Sequence, residues 1–179
     1  TVNVGVRSVP ERPVFKAIPD ATFIEDGQTV VALDRYLSDP DHSNSDLKIE
    51  ITQPANIRGA LETRRRRLTL TAPPNWNGGP ELIGLRVTDP DGEEVRTSFQ
   101  ASVTPANDAP TLSTIPEVGF DEDQSTTLTL TDYVTDPDNA PSEMTWGFRG
   151  ANKVNVQVEG GIATFSSETN WNGRERLTV

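Results

Sequence analysis

The chain has 179 residues, with 16 Lys or Arg against 27 Asp or Glu and a formal charge of −11. That balance argues against a nucleic-acid partner, because such binding rests on neutralising phosphates with Lys and Arg. The absence of Cys excludes disulfides and thiolate chemistry, and the single histidine, His42, nearly excludes a histidine-based zinc site.

In chain order, residues 1–9 (TVNVGVRSV) resemble the stretch 99–105 (FQASVTP) and read as the last strand of a preceding repeat. Residues 10–105 read as one complete β-sandwich repeat, with short alternating runs bounded by Gly, Pro, Asn and Asp. Residues 28–33 put Val30 and Ala32 on one face and Val31 and Leu33 on the other. Leu47, Ile49 and Ile51 alternate with Lys48, Glu50 and Thr52, and Leu68 and Leu70 alternate with Thr69 and Thr71. Arg64-Arg65-Arg66-Arg67 reads as an exposed basic hairpin tip, with a contact patch for an anionic polysaccharide or lipid head group as the sharper reading. Residues 82–87 and 95–103 complete the strands. Asp89-Pro90-Asp91-Gly92 between them reads as a turn in which Gly supplies positive φ, with a local calcium site as the alternative. Residues 106–110 form a linker kept short and stiff by the flanking Pro105 and Pro110. Residues 111–179 read as a second sandwich repeat. Val154, Val156 and Val158 alternate there, followed by either Ile162 with Thr164 or Ala163 with Phe165 facing inward. Nothing suggests a helix, and no apolar run reaches the roughly 18 residues that span a bilayer.

The two repeats match residue by residue. Ile18-Pro19 recurs as Ile115-Pro116, Phe23 as Phe120, Glu25-Asp26 as Glu122-Asp123 and Asp39-Pro40-Asp41 as Asp136-Pro137-Asp138, all at an offset of 97. Asn75-Trp76-Asn77-Gly78 recurs as Asn170-Trp171-Asn172-Gly173 at 95, so a loop between the two motifs changes length. At the same offset, residues 176–179 align with 81–84; repeat two is then truncated, and the protein is expected to continue in both directions. Trp76 and Trp171 sit in a repeated turn, which suits a cover for the end of the core better than a sugar platform; Trp146 reads as core.

Oxygen-bearing side chains gather around the linker: Glu25 and Asp26, Asn75 and Asn77, Asn107 and Asp108, then Asp136, Asp138 and Asn139. A hard divalent cation takes about six to eight such oxygens, and Pro between two aspartates fixes a bend that turns both carboxylates one way. An ordinary turn remains the other reading of Asp-Pro-Asp.

The order Glu-Asp, Asp-Pro-Asp, Asn-Trp-Asn-Gly, Asp-Pro-Asp-Gly and Asn-Asp-Ala-Pro resembles the bacterial cadherin-like, tandem-95-type repeats of large surface or secreted proteins, and more distantly cadherin ectodomains. The resemblance implies tandem Ig-like/cadherin-like antiparallel β-sandwich repeats of Greek-key type, an all-β fold. It also implies that Glu25, Asn107, Asp108, Asp136 and Asp138 jointly hold Ca2+ between repeats. Two departures weaken the set: Asn75-Trp76-Asn77-Gly78 stands where cadherins place acids, and the first junction reads Pro10-Glu11-Arg12-Pro13 without Asn-Asp.

No nucleophile elbow, phosphate-binding Gly loop or His-Glu-x-x-His motif is present, and paired carboxylates that recur in turns argue for architecture. The expected function is therefore non-enzymatic: a structural or adhesive extracellular module, forming a rod-like spacer at a bacterial cell surface with neighbouring repeats as its partners. Two alternatives stay open. One is a filament or surface-layer subunit that self-associates laterally. The other is a carbohydrate-binding accessory module of a secreted enzyme that contacts surface glycans.

Overall fold

The computed structural model describes residues 1–7 and 9–179. The chain divides into two units, Thr1–Ala106 and Asn107–Val179. The strand expected over residues 1–9 is not formed: residues 1–7 and 9 are exposed and unpaired, and Ser8 lies outside the described residues. A strand persists through its neighbour's hydrogen bonds, and this stretch meets no neighbour among the described residues.

Unit 1 contains β1 (Val14–Phe15), β2 (Ala21–Ile24), β3 (Gln28–Ala32), β4 (Leu37–Ser38), β5 (Lys48–Thr52), β6 (Arg58–Glu62), β7 (Arg67–Thr71), β8 (Gly78–Thr88) and β9 (Glu94–Thr104). They form a four-stranded sheet in the order β2-β9-β8-β5, a three-stranded sheet in the order β3-β7-β6, and a small β1-β4 pair. This is an Ig-like sandwich. Its pairings are antiparallel except β2 with β9, which run parallel (Ala21↔Ala101 to Ile24↔Thr104). The chain leaves β2 in one sheet and enters β3 in the other, and Glu25, Asp26 and Gly27 make that crossing.

The alternation read from sequence decides which faces meet. Leu68 and Leu70 on β7, Ile83 on β8 and Leu33 after β3 are fully buried, joined by Phe23, Leu85, Phe99, Ala101 and Val103. Each of the Leu, Ile, Val and Phe side chains contributes about 1.5–3 kcal/mol on leaving water. Leu37, Leu47 and Val87 form a second cluster. On the wet face of the four-stranded sheet, Glu50 accepts from Arg86 and lies 2.7 Å from Lys48 Nζ; these partners hold its carboxyl near a pKa of about 2.

Unit 2 contains β10 (Thr111–Leu112), β11 (Ser125–Thr129), β12 (Val134–Thr135), β13 (Val154–Glu159) and β14 (Ile162–Ser167). The sheet β11-β14-β13 repeats β3-β7-β6, and the β10-β12 pair repeats β1-β4. Ala163 and Phe165 are buried while Ile162 is exposed, which settles the face of β14. Phe148 meets the Phe165 ring edge-on at 5.7 Å. Phe120 lies in no strand, whereas its counterpart Phe23 is in β2. The strand that pairs with β2 is β9, and among the described residues of unit 2 no strand runs beside Phe120. The non-strand ordered pieces of both units are short 3-10 turns, and no α-helix occurs among the described residues.

One alignment is corrected. In unit 1, Glu81 accepts from the backbone N–H of Asn56 (3.1 Å) and Ile57 (2.9 Å) and from Asn56 Nδ2 (2.7 Å). In unit 2, Glu175 accepts from the N–H of Asn152, Lys153 and Val154. The lone bridge Arg149↔Thr178 repeats the pairing Thr52↔Gly84. Both correspondences put residues 175–179 at an offset of 94 from unit 1, one less than the 95 expected from sequence. The reason is local: β8 changes register between Gly78 and Glu81, and repeat two is one residue shorter there. For Glu81, burial raises the pKa but the N–H groups of Ile57 and Asn56 outweigh it, so the carboxyl stays below its usual range.

Candidate functional site

The acidic motifs turn out to be hydrogen-bonded clasps, built identically in both units. Asp39 Oδ1 accepts from the N–H of Asp41 (2.9 Å) and His42 (2.8 Å), closing the Asp-Pro-Asp turn. Asp136 Oδ1 accepts from the N–H of Asp138 and Asn139, both at 2.8 Å. The second aspartate then grips the chain arriving from upstream: Asp41 Oδ2 accepts from Glu11 N at 2.8 Å, and Asp138 Oδ2 accepts from Asp108 N at 2.6 Å. Pro40 and Pro137 set the bend, and the first aspartate locks it. The clasp forms equally at the upstream junction, where Arg12 follows and no Asn-Asp exists, so it is a property of the turn. For Asp39, burial raises the pKa, yet the His42 and Asp41 amides and the His42 ring prevail and hold it below the ordinary value.

Glu25 does a different job in unit 1. It is buried, 3% exposed, at the corner where the chain changes sheets. It accepts from Ala106 N at 2.6 Å and from Asn77 Nδ2 at 3.2 Å. Of the expected metal ligands, Asp108, Asp136 and Asp138 are joined through clasp contacts inside unit 2, and Asn107 there is exposed and donates to the Asp108 carbonyl at 2.7 Å. Glu25 belongs to unit 1. The linker is thus held at Ala106 by unit 1 and at Asp108 by unit 2.

The Asn-Trp-Asn-Gly turn is also a repeated device. Asn75 and Asn170 take positive φ (55° and 56°), as do Asp26 and Asp123 (58° and 62°). Asn and Asp tolerate this conformation better than most residues. Asn75 N donates to Asp26 Oδ1 at 3.0 Å, and Asn170 N to Asp123 Oδ1 at 2.9 Å. The indole then lies on the following glycine. A Cβ at Gly78 would meet Trp76 Cζ2 at 3.2 Å, and one at Gly173 would meet Trp171 Cζ2 at 2.6 Å. Trp76 is half-buried and packs against the main core, which is the structural role its turn position suggests.

The basic tip is not the exposed row of four charges that the sequence suggests. Arg64, Arg65 and Arg67 are exposed, and Arg65 pairs with Glu62 at 3.3 Å. Arg66 is 2% exposed, sits at φ 51°, and its three guanidinium nitrogens are buried without a hydrogen-bond partner. Its backbone carbonyl accepts from Leu33 N at 2.8 Å.

Sequence reasoning did not link the two Asp-Pro-Asp motifs of repeat one. The fold brings Asp89, in the β8–β9 hairpin, beside Asp39 and His42. The recurrence of the motif within one repeat was the available signal.

No family model matches this chain, and neither does any curated protein. Among solved structures, an endo-fucoidan hydrolase of glycoside hydrolase family 107 is similar at 16% identity and a TM-score of 0.41, over 92% of this chain. The chain spans about a quarter of that enzyme's length (26%). The human desmocollin-1 ectodomain is similar at 16% identity and a TM-score of 0.41, over 96% of this chain and 34% of its own. SGBP-B of the Bacteroides ovatus mixed-linkage glucan utilization locus, in complex with a mixed-linkage heptasaccharide, is similar at 14% identity and a TM-score of 0.35, over 88% of this chain and 37% of its own. The Ig-like assignment rests on the strand order and register above. No helix among the described residues is long and apolar enough to cross a membrane.

Proposed function

We propose that this chain is a structural spacer segment of an extracellular bacterial tandem-repeat protein, with cadherin-like sandwiches as its modules and further repeats as its partners. The observation that supports this best is the double fastening of the linker. Ala106 is hydrogen-bonded to Glu25 and Asp108 to Asp138, each within its own unit, with Asn107 as the one residue between. A loop pinned so closely at both ends loses most of its conformational freedom. The Asp138 half of this fastening recurs at Glu11 and Asp41, as end-to-end repetition of the module requires. Nothing in the clasps calls for a reacting atom: Asp39 and Asp136, Asp41 and Asp138, and Asp26 and Asp123 each accept from a backbone amide in the same way in both repeats.

Calcium is the finer part of the proposal, with Glu25, Asn107, Asp108, Asp136 and Asp138 as its ligands. The donor set is all oxygen, which suits a hard cation. An ionised carboxylate that accepts backbone N–H bonds keeps acceptor capacity for an ion, so clasping and coordination are compatible at Asp136 and Asp138. Calorimetric titration of the chain with calcium tests this, with Asp136→Ala/Asp138→Ala as the control. The expected Kd is on the order of 10⁻⁴–10⁻³ M, as in other extracellular modules, and binding disappears in the control. Absence of binding at millimolar calcium would remove the ion from the account and leave the fastening to the carboxylate clasps and prolines.

A further inference from the structure

Inside unit 1 a second acidic cluster is built differently from the linker clasps. Two turns converge there, the Asp39 turn after β4 and the Asp89 turn between β8 and β9. The Asp39 side chain is fully buried (0% exposed) and Asp89 is 6% exposed. Each spends one oxygen on its own loop: Asp39 Oδ1 on the Asp41 and His42 amides, and Asp89 Oδ1 on Glu93 N at 2.8 Å. The remaining oxygens, Asp39 Oδ2 and Asp89 Oδ2, are buried with no hydrogen-bond partner. A buried carboxylate oxygen left unpaired is costly, and two carboxylates at close range repel. His42 joins them: one ligand atom from each of Asp39, His42 and Asp89 lies within 4.8 Å of the other two. Asp91 stands beside the cluster, its Oδ2 3.5 Å from His42 Nε2.

We infer that Asp39, His42 and Asp89 bind one divalent first-row transition ion, represented by Zn2+, which staples the turn after β4 to the β8–β9 hairpin. An imidazole nitrogen with two carboxylates is a donor set for such an ion, while calcium takes oxygen. Protonation of His42 does not meet the same need. Its ring nitrogens face Asp39 Oδ1 at 3.2 Å and Asp91 Oδ2 at 3.5 Å, so both buried Oδ2 atoms stay unpartnered. A single histidine makes a zinc site improbable from sequence alone; here it is enough, because the fold delivers two buried carboxylates to it. Repeat two has Asn139 where repeat one has His42, so the site is particular to unit 1. It is independent of the proposed calcium ligands.

The test uses the whole chain. His42 is the single histidine, so its imidazole NMR signals report on this site without ambiguity. One equivalent of Zn2+ is expected to shift those signals, whereas Ca2+ leaves them in place. The near-isosteric Asp89→Asn is expected to weaken Zn2+ binding by at least the roughly 10–100-fold that loss of even an outer-shell partner brings. Unmoved His42 signals at millimolar Zn2+, or undiminished binding in folded Asp89→Asn, would overturn the inference. If Asp89→Asn does not fold, the wild-type signals alone decide.

Discussion

Arg66→Gly is expected to stabilise unit 1 by about 2–4 kcal/mol, a large gain for one substitution in a hairpin turn. Arg66 combines two costs. Its guanidinium is buried without a hydrogen-bond partner, and an uncompensated buried charge costs roughly 3–5 kcal/mol when measured by breaking a buried pair. Its φ of 51° is in the left-handed region that favours glycine. Repeat two shows the alternative solution. Gly161 holds the same place, with φ 78°, and its carbonyl accepts from Leu130 N at 2.8 Å as Arg66's accepts from Leu33 N. The greater backbone freedom of glycine in the unfolded chain offsets about 0.5–1 kcal/mol of the gain. Urea unfolding of the two proteins measures the difference. A variant less stable than the parent would mean that the buried guanidinium supports the fold.

Trp76→Ala is expected to cost about 3 kcal/mol, the lower end for loss of a large aromatic from a core. The ring packs against the main cluster and covers Gly78, so its removal opens the end of the sandwich and frees the turn that presents Asn77 to Glu25. A carbohydrate-binding role makes the opposite prediction: unchanged thermal stability with loss of glycan binding. Unfolding curves and a glycan array on the same variant separate the two.

Much of the fold was legible because burial follows period-two alternation. The Leu68/Leu70 face is where the sequence puts it, and the 97-residue offset matches β3 to β11 and β4 to β12. What was not legible depends on tertiary pairing. Phe120 matches Phe23 in sequence, but a strand forms only where a partner such as β9 runs beside it. The offset of 94 near Glu175 reflects a register change inside β8, which no motif marks. Arg66 reads as one of four equivalent charges; its positive φ and its burial arise only in the folded hairpin. The acids near the linker were recognisable as a group, because Asp-Pro-Asp and Glu-Asp recur. Their hydrogen-bond partners were not, because Glu25 reaches Ala106 across 81 positions of chain.

The central claim, a linker fastened at both ends by carboxylates, is tested most directly by ¹⁵N relaxation of the Ala106 and Asp108 amides. Wild type is compared with Glu25→Gln/Asp138→Asn in chelator. Wild-type order parameters near those of the strands, about 0.85, with a clear fall in the variant, are the predicted result. Wild-type values below about 0.6, or values indifferent to the substitutions, would contradict it.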